Sequence, residues 1–166
     1  FRENWKPAIN GSRKGAKFQE LSSFFLEQAI RLKNRDGRLI HWSHHENQIL
    51  KTYLSKKEFE KIEPLLFNAR IPAKRYLRLT QKTNSKGKSL EQFFEAMYRK
   101  RHPYPPLIIG AAESCRRIDA ACEKTKKWKA FNERQKKYVN DLIAYNEGDC
   151  RSTWLITKKL ANSSFV

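Results

Sequence analysis

Acidic side chains are scarce in this chain. Its 166 residues hold 17 Asp and Glu against 35 Lys and Arg, a formal net charge of +18. Cysteine is scarcer still: Cys115, Cys122 and Cys150 are odd in number and contain no C-x-x-C pair. That pattern argues against a disulfide framework and fits a reducing compartment, so an intracellular, cytoplasmic location is expected. No apolar run approaches the roughly 18 residues that a membrane-spanning helix needs. No signal-peptide pattern precedes the first helical segment, and no membrane partner is expected. Internal repeats and low-complexity linkers are absent too. Length and a hydrophobic content of 39% fit a single domain over residues 1–166 with one core. The chain opens on Phe1 rather than on methionine, which suggests a processed or truncated product.

The positive excess is the first thing present in quantity. A charge of this size attracts polyanions, of which nucleic acid is the usual one. The basic residues cluster at 70–78, 82–88, 99–101 and 124–137. Lys88, Lys124, Lys126, Lys127, Lys129 and Arg151 are candidate phosphate contacts. Trp128, Tyr98 and Tyr104 lie among the clusters, where aromatic faces can stack on unpaired bases. The bias runs along the whole chain rather than sitting in one tail, which favours nucleic acid over a generally solvated basic surface.

Hydrophobic periodicity and turn residues predict helices over 17–33, 45–54, 55–66, 89–98, 111–125 and 132–160. Ser55 with Glu58 three residues on has the form of a capping box. A short strand is predicted at 38–42 after a turn at 34–37, and a second, weakly alternating one at 76–80. Residues 83–88 read as a polar loop, and His102-Pro103-Tyr104-Pro105-Pro106 breaks the chain.

Two acids stand out. Tyr145 and Asp149 are four apart on the last predicted helix, so their side chains are neighbours on the face that also carries Tyr138, Leu142, Ile156 and Leu160. A carboxylate on an inward face is costly unless a metal or partner compensates it. Gly148 costs a helix interior about 1 kcal/mol relative to alanine, which implies close approach of something to the backbone. A solvated Asp149 beside Arg151 is the competing reading. Glu46 lies in Leu39-Ile40-His41-Trp42-Ser43-His44-His45-Glu46, with Trp42 and His44 beside it as candidate nucleic-acid contacts. The spacing of His41, His44 and His45 matches no zinc finger, so zinc is not expected and the histidines shape the turn around Glu46.

The segment Tyr145-Asn146-Glu147-Gly148-Asp149-Cys150-Arg151 resembles the third motif of DEDD-type 3′–5′ exonucleases in the tyrosine variant. More fully, it is similar to the "YN-x-x-DC-R" helix of an RNase H-like nuclease family associated with RecB-type nuclease domains. Leu39 to Glu46 is similar to that family's "HWS-x-x-E" motif, and Lys88-Ser89-Leu90 to its small turn into a helix. The resemblance spans roughly residues 18–160, though its specific content is two short motifs. It implies an α/β, RNase H-like (DnaQ-like exonuclease) fold, helix-rich and lacking its first strands. It implies a metal-dependent nuclease that hydrolyses phosphodiester bonds of DNA or RNA from a 3′ end. Tyr145, Asp149 and Glu46 would be catalytic, with Asp149 and Glu46 as ligands of Mg²⁺ or Mn²⁺, two ions in the complete enzyme. A helicase or RecB-type nuclease is the partner the resemblance suggests.

The family's first motif, Asp-x-Glu at the end of the first strand, is absent here, and the chain is expected to lack its N-terminal part. Two-metal hydrolysis needs carboxylates converging from separate elements, and two acids alone are a poor cage. A non-catalytic, basic nucleic-acid-binding module on the same scaffold is therefore the alternative. A basic helical protein-interaction domain is a weaker third.

Overall fold

The computed structural model describes residues 3–16, 19–81, 89–104, 107 and 109–163. These residues are helix-rich, with one sheet of two parallel strands among them. The helices are α1 (Lys6–Ser12), α2 (Leu21–Lys33), α3 (His44–Tyr53), α4 (Lys56–Ile62), α5 (Arg70–Gln81), α6 (Leu90–Tyr98), α7 (Ala111–Lys124) and α8 (Glu133–Asn162). The strands are β1 (Leu39–His41) and β2 (Leu66–Asn68). Two compact units result: Phe1–Phe18 with Pro103–Asp149, and Gln19–His102 with Cys150–Val166. Helix α8 contributes to both.

In the first unit, α7 buries Ile118, Ala121 and Cys122 at helical spacing, and α8 buries Val139 and Leu142. They meet Trp5, Ala8 and Ile9 from the N-terminal segment and Phe131 from the connection ahead of α8. The Trp5 indole donates to Asp119 Oδ1 at 2.7 Å, which satisfies its polar edge inside this cluster. Trp128 lies directly on Gly11, where a Cβ would sit 1.9 Å from the ring's Cγ. Only glycine permits that contact.

The second unit has two apolar clusters. One joins Ala29 of α2, Leu50 of α3, Phe59 and Ile62 of α4, and the neighbouring Leu54 and Leu65. The other joins Ala73 and Leu77 of α5, Phe93, Phe94 and Met97 of α6, and Ile156 and Leu160 of α8. β1 pairs with β2 in the register Leu39↔Leu66, Ile40↔Phe67 and His41↔Asn68. Three helices open on capping boxes: Ser43 with Glu46, Ser55 with Glu58, and Ser89 with Gln92. Each N-cap contributes about 1 kcal/mol by satisfying amides that the first turn leaves open. Arg99 ends α6 in the left-handed region, at φ 53°.

The predicted helices at 17–33, 45–54, 89–98, 111–125 and 132–160 correspond to α2, α3, α6, α7 and α8, and the strand at 38–42 to β1. The strand predicted at 76–80 is instead part of α5. Ala73 and Leu77 are fully buried while Lys74, Arg75 and Arg78 are exposed, a four-residue rather than a two-residue period. The second strand lies at Leu66–Asn68, where the helix predicted over 55–66 gives way after Ile62 to a 3₁₀ turn containing Pro64. The polar loop at 83–88 lies outside the described residues, and so does Lys88. The segment ahead of α2, read without a helix from the sequence, contains α1, with Pro7 in its first turn. No helix among the described residues is long and apolar enough to cross a membrane.

Candidate nucleic-acid interface

Tyr145 and Asp149 sit one turn apart on α8, both half-buried. Between them, Gly148 is buried under Tyr104: a Cβ at Gly148 would lie 2.7 Å from Tyr104 Cγ and 2.9 Å from its Cβ. The glycine is thus explained by close approach of a side chain from the segment after α6. Just N-terminal, Asn146 Nδ2 donates to Leu142 O at 2.9 Å, and Glu147 Oε1 lies 3.4 Å from Arg13 Nε.

Glu46 occupies the third position of α3 and is half-buried. Its Oε2 accepts from the Ser43 amide at 3.1 Å and also from the Ser43 hydroxyl, while the His45 amide donates to Ser43 Oγ at 3.2 Å. The His41 ring is held by its Nδ1 at 2.7 Å from Ser43 O. Ser-x-x-Glu here is therefore first of all a helix start, and His41 shapes the turn. Beside it, Asn47 Oδ1 is buried without a hydrogen-bond partner among the described residues. Glu46 belongs to one compact unit, Tyr145 and Asp149 to the other.

The fit to a metal pair can be judged from the donors. Mg²⁺ and Mn²⁺ take several oxygen ligands, and two-ion sites require shared carboxylates. Among the described residues no group of three or more His, Cys, Asp or Glu side chains is arranged to hold an ion. The described residues do not make a two-ion site by themselves.

The lysines predicted to meet phosphate are open to solvent: Lys124, Lys126, Lys127 and Lys129 are all exposed, as are Arg151 and His44. The aromatics beside them are half-buried. Trp128 packs on Gly11 and on Phe131, ring centroids 5.4 Å apart. Tyr98 stacks on Phe94 at 4.7 Å, donates its hydroxyl to Leu155 O at 2.7 Å and lies under Lys159 Nζ; burial raises its pKa. Tyr104 covers Gly148. Trp42 is half-buried, edge-on to Phe93 at 5.0 Å. All four rings are half-buried and already packed against neighbours.

The residue the sequence reading passed over is Trp154. It is 58% exposed, with exposed Arg151 three residues before it and exposed Lys158 four residues after it on α8. Those spacings place all three on one surface of the helix. The signal was available: Trp154 falls off the apolar stripe of period 3.6 defined by Tyr138, Leu142, Ile156 and Leu160.

A second cluster also escaped the sequence. The Tyr138 hydroxyl accepts from Arg134 Nε at 2.6 Å and from Arg117 Nη1. Arg117 Nε in turn donates to Glu113 Oε1 at 2.7 Å, and Arg116 reaches Glu113 Oε2 at 2.9 Å. Burial opposes ionisation of the phenol, but the donors and charges of Arg134 and Arg117 outweigh it and hold its pKa below the ordinary tyrosine value. Glu113 is held below the ordinary carboxylate range, chiefly by the Arg117 hydrogen bond. The i,i+4 spacing of Arg134 and Tyr138 was legible; the arrival of Arg117 from α7 was not.

His102 Nε2 lies 2.7 Å from Ser152 Oγ, a pairing that resembles an activated nucleophile. Ser152 is completely buried, however, and the His102 amide is tied to Glu95 Oε1 at 3.0 Å. The pair anchors the end of α6 to α8 and is closed to substrate.

Comparison with protein-family models, curated proteins and solved structures found no match.

Proposed function

We propose that this chain binds single-stranded nucleic acid through an exposed, positively charged surface. The observation that carries the reading is the Arg151–Trp154–Lys158 face of α8, an open indole flanked within one turn on each side by an open cation. Cations neutralise phosphates without regard to sequence, and an aromatic face accepts any unpaired base. The formal charge of +18, to which the exposed lysines ahead of α8 contribute, supplies the long-range attraction. Anisotropy with a labelled single-stranded oligonucleotide tests it. Trp154→Ala is expected to weaken binding by about 1–3 kcal/mol, the range for one stacked base, with an unchanged circular dichroism spectrum. Equal affinity for wild type and variant contradicts the assignment of this face.

A second reading, a metal-dependent DEDD-type nuclease of RNase H-like fold acting on DNA or RNA, is favoured by the half-buried Tyr145 and Asp149 around Gly148. It requires oxygen ligands in addition to the Asp149 carboxylate. Its test is Mg²⁺- or Mn²⁺-dependent shortening of an oligonucleotide from the 3′ end. Loss of that activity in Asp149→Asn, with binding retained, supports it; an unchanged rate in Asp149→Asn sinks it. Absence of cleavage by the 166-residue chain leaves the binding reading in force.

A further inference from the structure

The Arg117–Arg134–Tyr138 cluster has a hydrogen-bonding inventory that asks for an anion. A phenol oxygen has two lone-pair sites and one proton. Both lone-pair sites of Tyr138 are taken, one by Arg134 Nε and one by Arg117 Nη1. What Tyr138 has left to offer is its own O–H, which must donate. Guanidinium groups have five N–H donors in a rigid fork and no acceptor. Arg134 uses Nε alone and makes no ion pair among the described residues. Arg116 and Arg117 share the single carboxylate of Glu113, and Arg134, bonded to Tyr138, adds a third guanidinium to the cluster. The cluster is therefore a surplus of positive charge and of aimed donors, with Tyr138 half-buried and Arg134 exposed. Its phenol is a stronger donor than an ordinary tyrosine because its neighbours favour loss of the proton.

We propose that Arg117, Arg134 and Tyr138 form a clamp for one backbone phosphodiester of a single-stranded nucleic acid, a proposal that rests on the nucleic-acid reading above. Planar guanidiniums match phosphate oxygens in bidentate fashion, and Tyr138 adds a neutral, directed donor.

The test uses two variants that leave the Arg117–Glu113 pair in place. Arg134→Gln removes one exposed charge, and Tyr138→Phe removes one hydroxyl while keeping the ring. Affinity for a labelled single-stranded oligodeoxynucleotide is measured over a series of NaCl concentrations, with inorganic phosphate as a competitor. Arg134→Gln is expected to weaken binding about ten-fold at low salt and to flatten the slope of log K against log salt by about 0.7. Tyr138→Phe is expected to weaken binding a few-fold with the slope unchanged, since no charge is lost. Wild-type binding that neither variant alters overturns the clamp and leaves the nucleic-acid reading intact. A wild-type chain that does not bind overturns both. Arg134→Gln that loses affinity for inorganic phosphate but not for the oligonucleotide makes this a free-anion site and also overturns the clamp.

Discussion

Tyr104 lies on Gly148 so closely that the nearest ring atom is 2.7 Å from the place a Cβ would occupy. Gly148 is one residue from Asp149 and three from Tyr145. Two opposing effects meet in Gly148→Ala. Alanine gains about 1 kcal/mol of helix propensity, whereas overpacking typically costs about 1–3 kcal/mol. The clash is with Tyr104 Cγ and Cβ, the root of the side chain, which no rotation about the ring axis can relieve. The clash is expected to win. Urea unfolding should show a net loss of about 1 kcal/mol, and Gly148→Ala in a Tyr104→Ala background should be stabilising relative to Tyr104→Ala alone. A stabilising Gly148→Ala in the native background contradicts the packing. Gly11→Ala, with Trp128 Cγ only 1.9 Å from the new Cβ, is expected to cost more.

Glu20 caps α2 by accepting from the Ser22 hydroxyl and from the Ser22 and Ser23 amides, at 3.1 and 3.0 Å for the amides. The Ser22 side chain, the Ser23 amide and the Ser22 amide lower its pKa from 4.5 to about 2. The folded value is below the unfolded one, so the carboxylate's contribution is fully present above pH 4.5 and disappears as pH falls toward 2. Thermal melts of wild type and Glu20→Gln should therefore differ near neutral pH and converge in acid. A gap that persists unchanged into acid contradicts the capping role.

Glu46 carries two assignments, a helix cap and a candidate metal ligand, and substitutions separate them. Ser43→Ala removes the capping hydroxyl and is expected to cost about 1 kcal/mol. Glu46→Gln keeps an oxygen acceptor for the Ser43 amide and is expected to stay within about 0.5 kcal/mol of wild type. If Glu46→Gln unfolds as readily as Ser43→Ala, the carboxylate's charge and not its hydrogen bond holds the turn. If Glu46→Gln is stable but changes Mn²⁺ affinity measured by calorimetry, the ligand role gains support.

Local chemistry was legible in the sequence; partners distant in sequence were not. Ser55 and Glu58, three apart, declared a helix start, and the turn at 34–37 declared itself by composition. Gly148 announced a close approach but not that Tyr104 makes it. The stretch 76–80 read as a strand because its alternation was weighed alone, without the Phe93 and Phe94 that make Leu77 a buried helical position. Trp128 read as a stacking platform because nothing local says that Gly11 lies under it. Trp154, by contrast, was legible as a tryptophan lying off the apolar stripe of its helix. Arg117 and Tyr138 are brought together by α7 packing on α8, which no spacing rule contains.

The most direct measurement is the affinity of the intact chain for single-stranded oligonucleotides of unrelated sequence across a range of NaCl concentrations. Log K is expected to fall linearly with log salt, by about 0.7 per phosphate contacted, and to be nearly independent of sequence. The triple variant Lys126→Ala, Lys127→Ala, Lys129→Ala removes three exposed charges and is expected to flatten that slope without creating a sequence preference. Binding that does not respond to salt, or no binding at low salt, contradicts a nucleic-acid role for this protein.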